Sequence, residues 1–393
     1  MQTVRFHPSA AGRRDVQIDW LRGLAMACVI VNHSKLSSPL SWFTYERFWV
    51  VTAAEVFVVL SGIVLGMVYR KRLARSGWRS VIGVLARRAA LLYAAFVGVS
   101  VSVLALAASG VDVTSLSASD GHTPVWFLAP TTMTVTAWRD VLFMRAGPWA
   151  FEIIGLYVWL VAATIPCLFI LYRFGWRALL ALSWGLYLWH RIDPHPLTSA
   201  GFESSFPILA WQLLFVHGLT IGYHRDGLSS WSSGMASALP RTAPFIAAGF
   251  ALFAFCNPWT DGPSWLHLPL VAPDRFGELY EQYFNLSALG LGRLMNLAVG
   301  LLAAHTLLTR HWKMVQPLET LFVTLGRNSL GAFVLHVYGL LAISHLALPD
   351  RLWANGLVQV AFVLITAALL NPPKRPAPPQ PATLPPREQP LAA

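Results

Sequence analysis

Apolar stretches of a length that crosses a bilayer follow one another through almost the whole of this chain, with no polar domain between them. Inside hydrocarbon no water meets the backbone, so each stretch must satisfy its own N–H and C=O groups. For runs of about 20 residues the α-helix is the structure that does so. Hydropathy places ten spans near residues 18–36, 48–69, 85–108, 149–172, 176–192, 207–223, 242–256, 287–308, 328–348 and 352–371. The expected fold class is therefore all-α, a polytopic integral membrane protein of about ten transmembrane helices. Only 12% of the residues are charged, against roughly 25% in soluble domains, so water is not the solvent of most of this surface.

Three segments follow from this pattern. Residues 1–17 read as a cytoplasmic N-terminal segment, 18–371 as one transmembrane domain, and 372–393 as a disordered tail, since NPPKRPAPPQPATLPPREQP can neither form a helix nor bury a core. The first span holds Asp19, Arg22 and His33 and lacks a small-residue cleavage site, so it is expected to stay in the protein rather than serve as a removable signal.

The formal net charge of +11 does not call for nucleic acid, because the basic residues sit in short connections between apolar runs. Lys and Arg concentrate in alternate loops: Arg13 and Arg14, then Arg70, Lys71, Arg72, Arg75 and Arg79, then Arg173 and Arg177, Arg225 and Arg241, Arg310 and Lys313, Lys374 and Arg375. The positive-inside rule then puts both termini in the cytoplasm and the two longest loops, 109–148 and 257–286, outside. Trp42, Trp49, Trp126, Trp149, Trp259 and Trp265 fall near span ends and in loops, where interfacial anchoring accounts for them. The three cysteines, Cys28, Cys167 and Cys256, have none of the spacings of a disulfide framework or zinc site. In WHRIDPHP the residues His190, Asp193 and His195 resemble metal ligands, but Pro194 and Pro196 break the register and no third ligand is near, so no metal is expected.

Function is sought where ionisable residues interrupt apolar spans, because each costs roughly 2.5–3.5 kcal/mol to insert and so faces a bundle interior or a water-filled path. In IDWLRGLAMACVIVNHSKL, Arg22 and His33 are eleven positions apart, within about 20° of a whole number of turns and roughly 16 Å of rise. They share one helix face at different depths. Asp19 stands one turn before Arg22 and can pair with it. With the N-terminus inside, Arg22 lies toward the cytoplasm and His33 toward the outer side.

Glu55, near the outer end of the second span, is expected at a depth similar to that of His33. A carboxylate beside an imidazole fixes its tautomer and raises its basicity, which makes a general base; the same pair also serves merely to tie two helices together. In LGRNSLGAFVLHVYG, Asn328 and Ser329 stand at a helix start, where either would cap it, and His336 follows Ser329 two turns along the same face. These residues form a second polar stripe.

Four stretches in order, DWLRGLAMACVIVNH, AAEVFVVLSGIVLGMVY, FPILAWQLLFVHGLTIG and LGRNSLGAFVLHVY, carry a resemblance that covers residues 19–338. The Arg-to-His spacing of the first resembles the signature of the transmembrane acyltransferase-3 superfamily. Within it the chain resembles the OpgC family, the succinyltransferases of osmoregulated periplasmic glucans. The resemblance implies a multi-pass bacterial inner-membrane enzyme that takes an acyl group, succinyl by family, from cytoplasmic acyl-CoA and delivers it to a glucan hydroxyl outside. Acyl-CoA is then a substrate, and no bound cofactor is expected. It implies His33 as catalytic base, Arg22 as a residue that helps hold the donor, and Glu55, Asn328, Ser329 and His336 as lining of the same cavity. The residues themselves do not distinguish succinyl from acetyl, and they say nothing of oligomeric state.

A proton-coupled transporter or exporter is the alternative, since buried His, Glu and Arg also build proton relays. Such proteins often show inverted repeats. No clear internal repeat is present, and the second half has no counterpart to the Arg22-to-His33 spacing.

Overall fold

The computed structural model describes residues 15–46, 49–117, 135–231, 239–260, 262–346, 348 and 351–371. The Pro-rich tail, most of the N-terminal segment, Trp126 and Asp261 lie outside the described residues. Among the described residues all regular structure is helical. Helix α1 spans Val16–His33 and α2 Ala53–Ala108. A 3-10 turn at Trp149–Phe151 leads into α3, Glu152–Arg173, and α4 covers Trp176–Ile192. Then come α5 (Ile208–Trp231), α6 (Leu239–Ala254), α7 (Leu291–Arg310), α8 (Glu319–Arg327), α9 (Ser329–Ser344) and α10 (Leu352–Leu370).

Among the described residues four helical segments are long and apolar enough to cross a membrane: Ala53–Ala108, Trp149–Arg173, Leu291–Arg310 and Leu352–Leu370. Arg241–Ala254 and Ser329–Ser344 are apolar but shorter. Helix α1 is interrupted by Asp19 and Arg22 within its first two turns. The N-terminus of α1 is set by Asp15, whose carboxylate accepts from the backbone N–H of Gln17 and Ile18 at 3.0 and 3.2 Å. At the start of α2 the backbone N–H and hydroxyl of Thr52 both donate to Glu55.

One boundary differs from expectation. The second and third hydropathy spans, with the basic connection between them, form a single helical run with one break at Gly77 (φ 69°, ψ 179°). The connecting sequence RKRLARSGWRSVIGV contains no proline and mostly good helix formers, so helix continues on both sides of Gly77, a residue type that takes positive φ freely.

Two close backbone approaches bind the bundle. On α2, Gly62 and Gly66 face Gly218 and Gly222 of α5: a Cβ on Gly62 would lie 2.3 Å from the Phe215 carbonyl oxygen, and one on Gly222 would lie 2.0 Å from that of Ile63. These glycines therefore pack helices within the chain. Helices α1 and α8 touch in the same way, because a Cβ on Gly326 would lie 1.9 Å from the Asp19 carbonyl oxygen. The short amphipathic α8, which hydropathy alone passed over, thus docks against α1 and delivers the chain to α9. Around these contacts one continuous apolar core runs through α1, α2, α3, α5 and α9.

Gly326→Ala should push α8 off α1 and lower stability by about 1–3 kcal/mol, the usual scale of overpacking. Thermal unfolding in detergent checks this. Gly83→Ala, where nothing lies within 4 Å of the added Cβ, is the control expected to lose nothing.

Candidate active site

Helix α1 presents Asp19, Arg22 and His33 along one face, and α8 and α9 pack against that face. At its first-turn end Asp19, 3% exposed, stands 3.8 Å from Arg22 and accepts from Arg327 Nε at 3.1 Å. Arg22 Nη2 donates to Ser329 Oγ at 2.9 Å, and its guanidinium lies 5.1 Å from the Phe57 ring centroid. The expected pairing of Asp19 with Arg22 is present, and Ser329 joins it. Asn328 occupies the N-cap position of α9, and its side chain donates back to the Thr324 carbonyl at 3.2 Å, so it caps the end of α8 rather than the start of α9.

At the other end of α1 two histidines meet. His33 Nδ1 and His336 Nε2 are 2.9 Å apart, with His336 fully buried. His336 Nδ1 lies 3.1 Å from the Phe333 carbonyl oxygen, which can only accept. The His336 proton is therefore on Nδ1, and in the neutral pair its Nε2 accepts from His33 Nδ1–H. This assignment, made from the hydrogen-bond network, leaves His33 Nε2 carrying the lone pair. Trp149 packs against the His33 ring with centroids 4.5 Å apart, and donates its own Nε1–H to the Ser115 carbonyl at 3.1 Å. Trp149, read from sequence as an interfacial anchor, belongs to the wall of the site.

A cavity of about 190 Å³ opens beside this pair, lined by His33, Lys35, Trp149, Glu152, Ser205 and Phe333, among others. Ser205 Oγ donates to Glu152 Oε2 at 3.2 Å. The Lys35 ammonium stands 4.9 Å from the Trp149 ring centroid. The volume holds several waters or a short acyl group, taking about 30 Å³ for a liquid water.

Glu55 does not join the histidines. Both its oxygens accept from Arg293 Nη1 at 3.1 Å, and it makes no hydrogen bond to His33. Arg293 is fully buried and every donor group is used: Nε donates to the Phe284 carbonyl at 2.7 Å, and Nη2 to Glu46 and to the Tyr280 hydroxyl. The expected Glu55 partner was His33; the capping box at the start of α2 and the arginine one turn into α7 take the carboxylate instead. Arg293 is the sole Lys or Arg in the apolar stretch 287–308, and a lone buried cation there must have a partner, which was the signal available in the sequence.

Among the described residues no group of three or more His, Cys, Asp or Glu side chains is gathered to hold a metal. His195 Nδ1 lies 2.6 Å from the Asp193 carbonyl oxygen, a local turn contact. His217 meets Trp184 Nε1 at 3.2 Å, within the packing of α4 on α5.

An all-helical fold, with several helices able to cross a membrane and an imidazole pair beside a largely apolar cavity that also holds Lys35, Glu152 and Ser205, defines a class of membrane proteins with paired histidines at a cavity wall. A family profile described as OpgC protein matches residues 14–372, and the chain belongs to that family. No curated protein and no solved structure matches it.

Arg293→Met leaves Glu46 and Glu55 buried without their cation and should cost about 3–5 kcal/mol, the scale for breaking a buried pair from one side. A fall in folded yield and thermal midpoint, larger than for Glu55→Gln, is the expected outcome.

Proposed function

We propose that the protein is a membrane-embedded O-acyltransferase that moves an acyl group, succinyl by its family, from cytoplasmic acyl-CoA to a hydroxyl of an extracytoplasmic glucan. Membership of the OpgC family supports the reaction class. The observation that carries the assignment of residues is the His33–His336 contact, whose polarity leaves His33 Nε2 as a base on the wall of a cavity.

In this reading the glucan hydroxyl gives its proton to His33 Nε2 as its oxygen attacks the thioester carbonyl. A C–O bond forms, the C–S bond breaks, and the CoA thiolate leaves and is protonated by the His33 imidazolium. His336 holds the ring through Nδ1 and stabilises the charge that forms there. Direct transfer needs no covalent intermediate. Toward the opposite end of α1, Arg22 with Asp19, Arg327 and Ser329 forms the polar stripe that would hold the donor, and Asn328 fixes the corner between α8 and α9. Glu55 acts by holding Arg293, which ties together the two separate outer segments that carry Glu46 and Tyr280.

The reading also takes the chain to cross the bacterial inner membrane about ten times, with one catalytic domain over 18–371 and both termini cytoplasmic, as the distribution of Lys and Arg supports. It places the chain in the acyltransferase-3 superfamily on the spacing of Arg22 and His33. The transporter alternative draws on the same buried groups. A relay would use the buried carboxylate next to the histidines, and Glu55 is instead closed into its pair with Arg293.

Transfer of label from succinyl-CoA to a glucan acceptor tests the reading, with wild type and His33→Ala purified in the same detergent and checked for folding. His33→Ala should lose at least about a hundredfold in rate, the scale of general-base catalysis. His336→Gln keeps an oxygen to accept from His33 Nδ1–H and should retain more activity than His336→Phe. Unchanged labelling by His33→Ala would remove it as the base, and export of glucan without acylation by wild type would favour the transporter.

A further inference from the structure

Helix α1 ends at His33, and the five residues that follow are held in an uncommon way. Lys35 takes the left-handed backbone region at φ 53°, which residues bearing a Cβ adopt rarely. Two buried amides of α10 hold this turn. Gln359, fully buried, donates through Nε2 to Ser34 Oγ and to the Leu36 carbonyl at 2.9 Å each, and accepts from Ser38 Oγ at 2.5 Å. Asn355 donates to the Ser37 carbonyl at 2.9 Å. Polar side chains on an apolar helix are costly unless bonded, and here both serve one short turn.

The result of that arrangement is the position of one cation. Lys35 stands at the wall of the cavity that His33 also lines, its ammonium over the Trp149 ring at 4.9 Å. Among the described residues it forms no ion pair, and it is exposed at this opening. Among the described residues that line the same cavity the acid is Glu152, and it accepts from Ser205. A cation on an aromatic face, beside the base and in no ion pair among the described residues, is a receptor for a carboxylate brought by a ligand.

We propose that Lys35 reads a carboxylate at the far end of the acyl group in transfer, and so selects donors whose acyl chain is a short dicarboxylic half-thioester over those with a neutral acyl chain. This rests on the acyltransferase reading and adds the residue that sets its donor preference. The remote carboxylate is not consumed: the bond changes at the thioester carbon are those already given, and Lys35 only holds the other end. The small cavity volume suits a chain of a few carbons.

The test compares kcat/KM for succinyl-CoA and acetyl-CoA, with a fixed glucan acceptor, in full-length wild type, Lys35→Met and Lys35→Arg. Wild type should prefer succinyl-CoA, and Lys35→Met should lower the succinyl-to-acetyl ratio about tenfold, chiefly through the KM for succinyl-CoA. Lys35→Arg, which keeps the charge, should hold most of the preference. A proportional fall with both donors, no change in the ratio, or a wild-type preference for acetyl-CoA would overturn the role of Lys35 while leaving acyl transfer intact. Transfer from neither donor by wild type would overturn the acyltransferase reading and this proposal with it.

Discussion

The hydrogen bond between His33 and His336 joins residues 303 positions apart in sequence and makes demands on much of the bundle. It requires the end of α1 and the middle of α9 to meet at 2.9 Å, which the Gly326 approach to Asp19 permits by seating α8 directly on α1. It requires the Phe333 carbonyl to accept from the far side of His336, so that the pair has a direction. The ring of Trp149, from the turn before α3, closes the third side. Helices far apart in the chain thus converge on one imidazole because each contact leaves the next only one place to be.

Charge burial explains the segment that leads into α7. Arg293 is surrounded by two carboxylates, a phenol and a backbone carbonyl, and the low dielectric that makes an unpaired ion so costly makes this set mutually dependent. Its members come from the segment before α2, from α2 itself, from the turn at Tyr280–Phe284 and from α7. An irregular segment acquires a fixed attachment without a disulfide, and the three cysteines remain free thiols.

Much of the site was legible in the sequence because helical periodicity is a strong constraint. Arg22 and His33 do share a face, Asp19 does pair with Arg22, and Ser329 and His336 do lie along the facing stripe. What periodicity cannot convey is rotation about the helix axis relative to other helices. Depth put Glu55 level with His33, but its neighbour across the bundle depends on how α2 is turned, and that is decided by the glycine contact with α5 and by Arg293. Lys35 and Trp149 were hidden for another reason: each lies just beyond a helix end, where composition signals only loop or interface. Asn355 and Gln359 were the readable exceptions passed over, two amides in a run of apolar residues.

The break at Gly77 has a consequence for how the basic segment behaves toward anions. Arg70, Lys71, Arg72, Arg75 and Arg79 are carried on two helical arms rather than on a slack loop, and Arg72 Nε reaches across the bend to Ser80 Oγ at 3.1 Å while Arg70 donates to the Tyr223 carbonyl at 2.6 Å. Their backbone entropy is already lost on folding. An anionic partner meeting this elbow finds charges at set spacings and need not order them, so a larger part of the electrostatic attraction survives as affinity. The bend acts as a positively charged corner, turned at a glycine and held by the hydrogen bonds of Arg72 to Ser80 and of Arg70 to Tyr223.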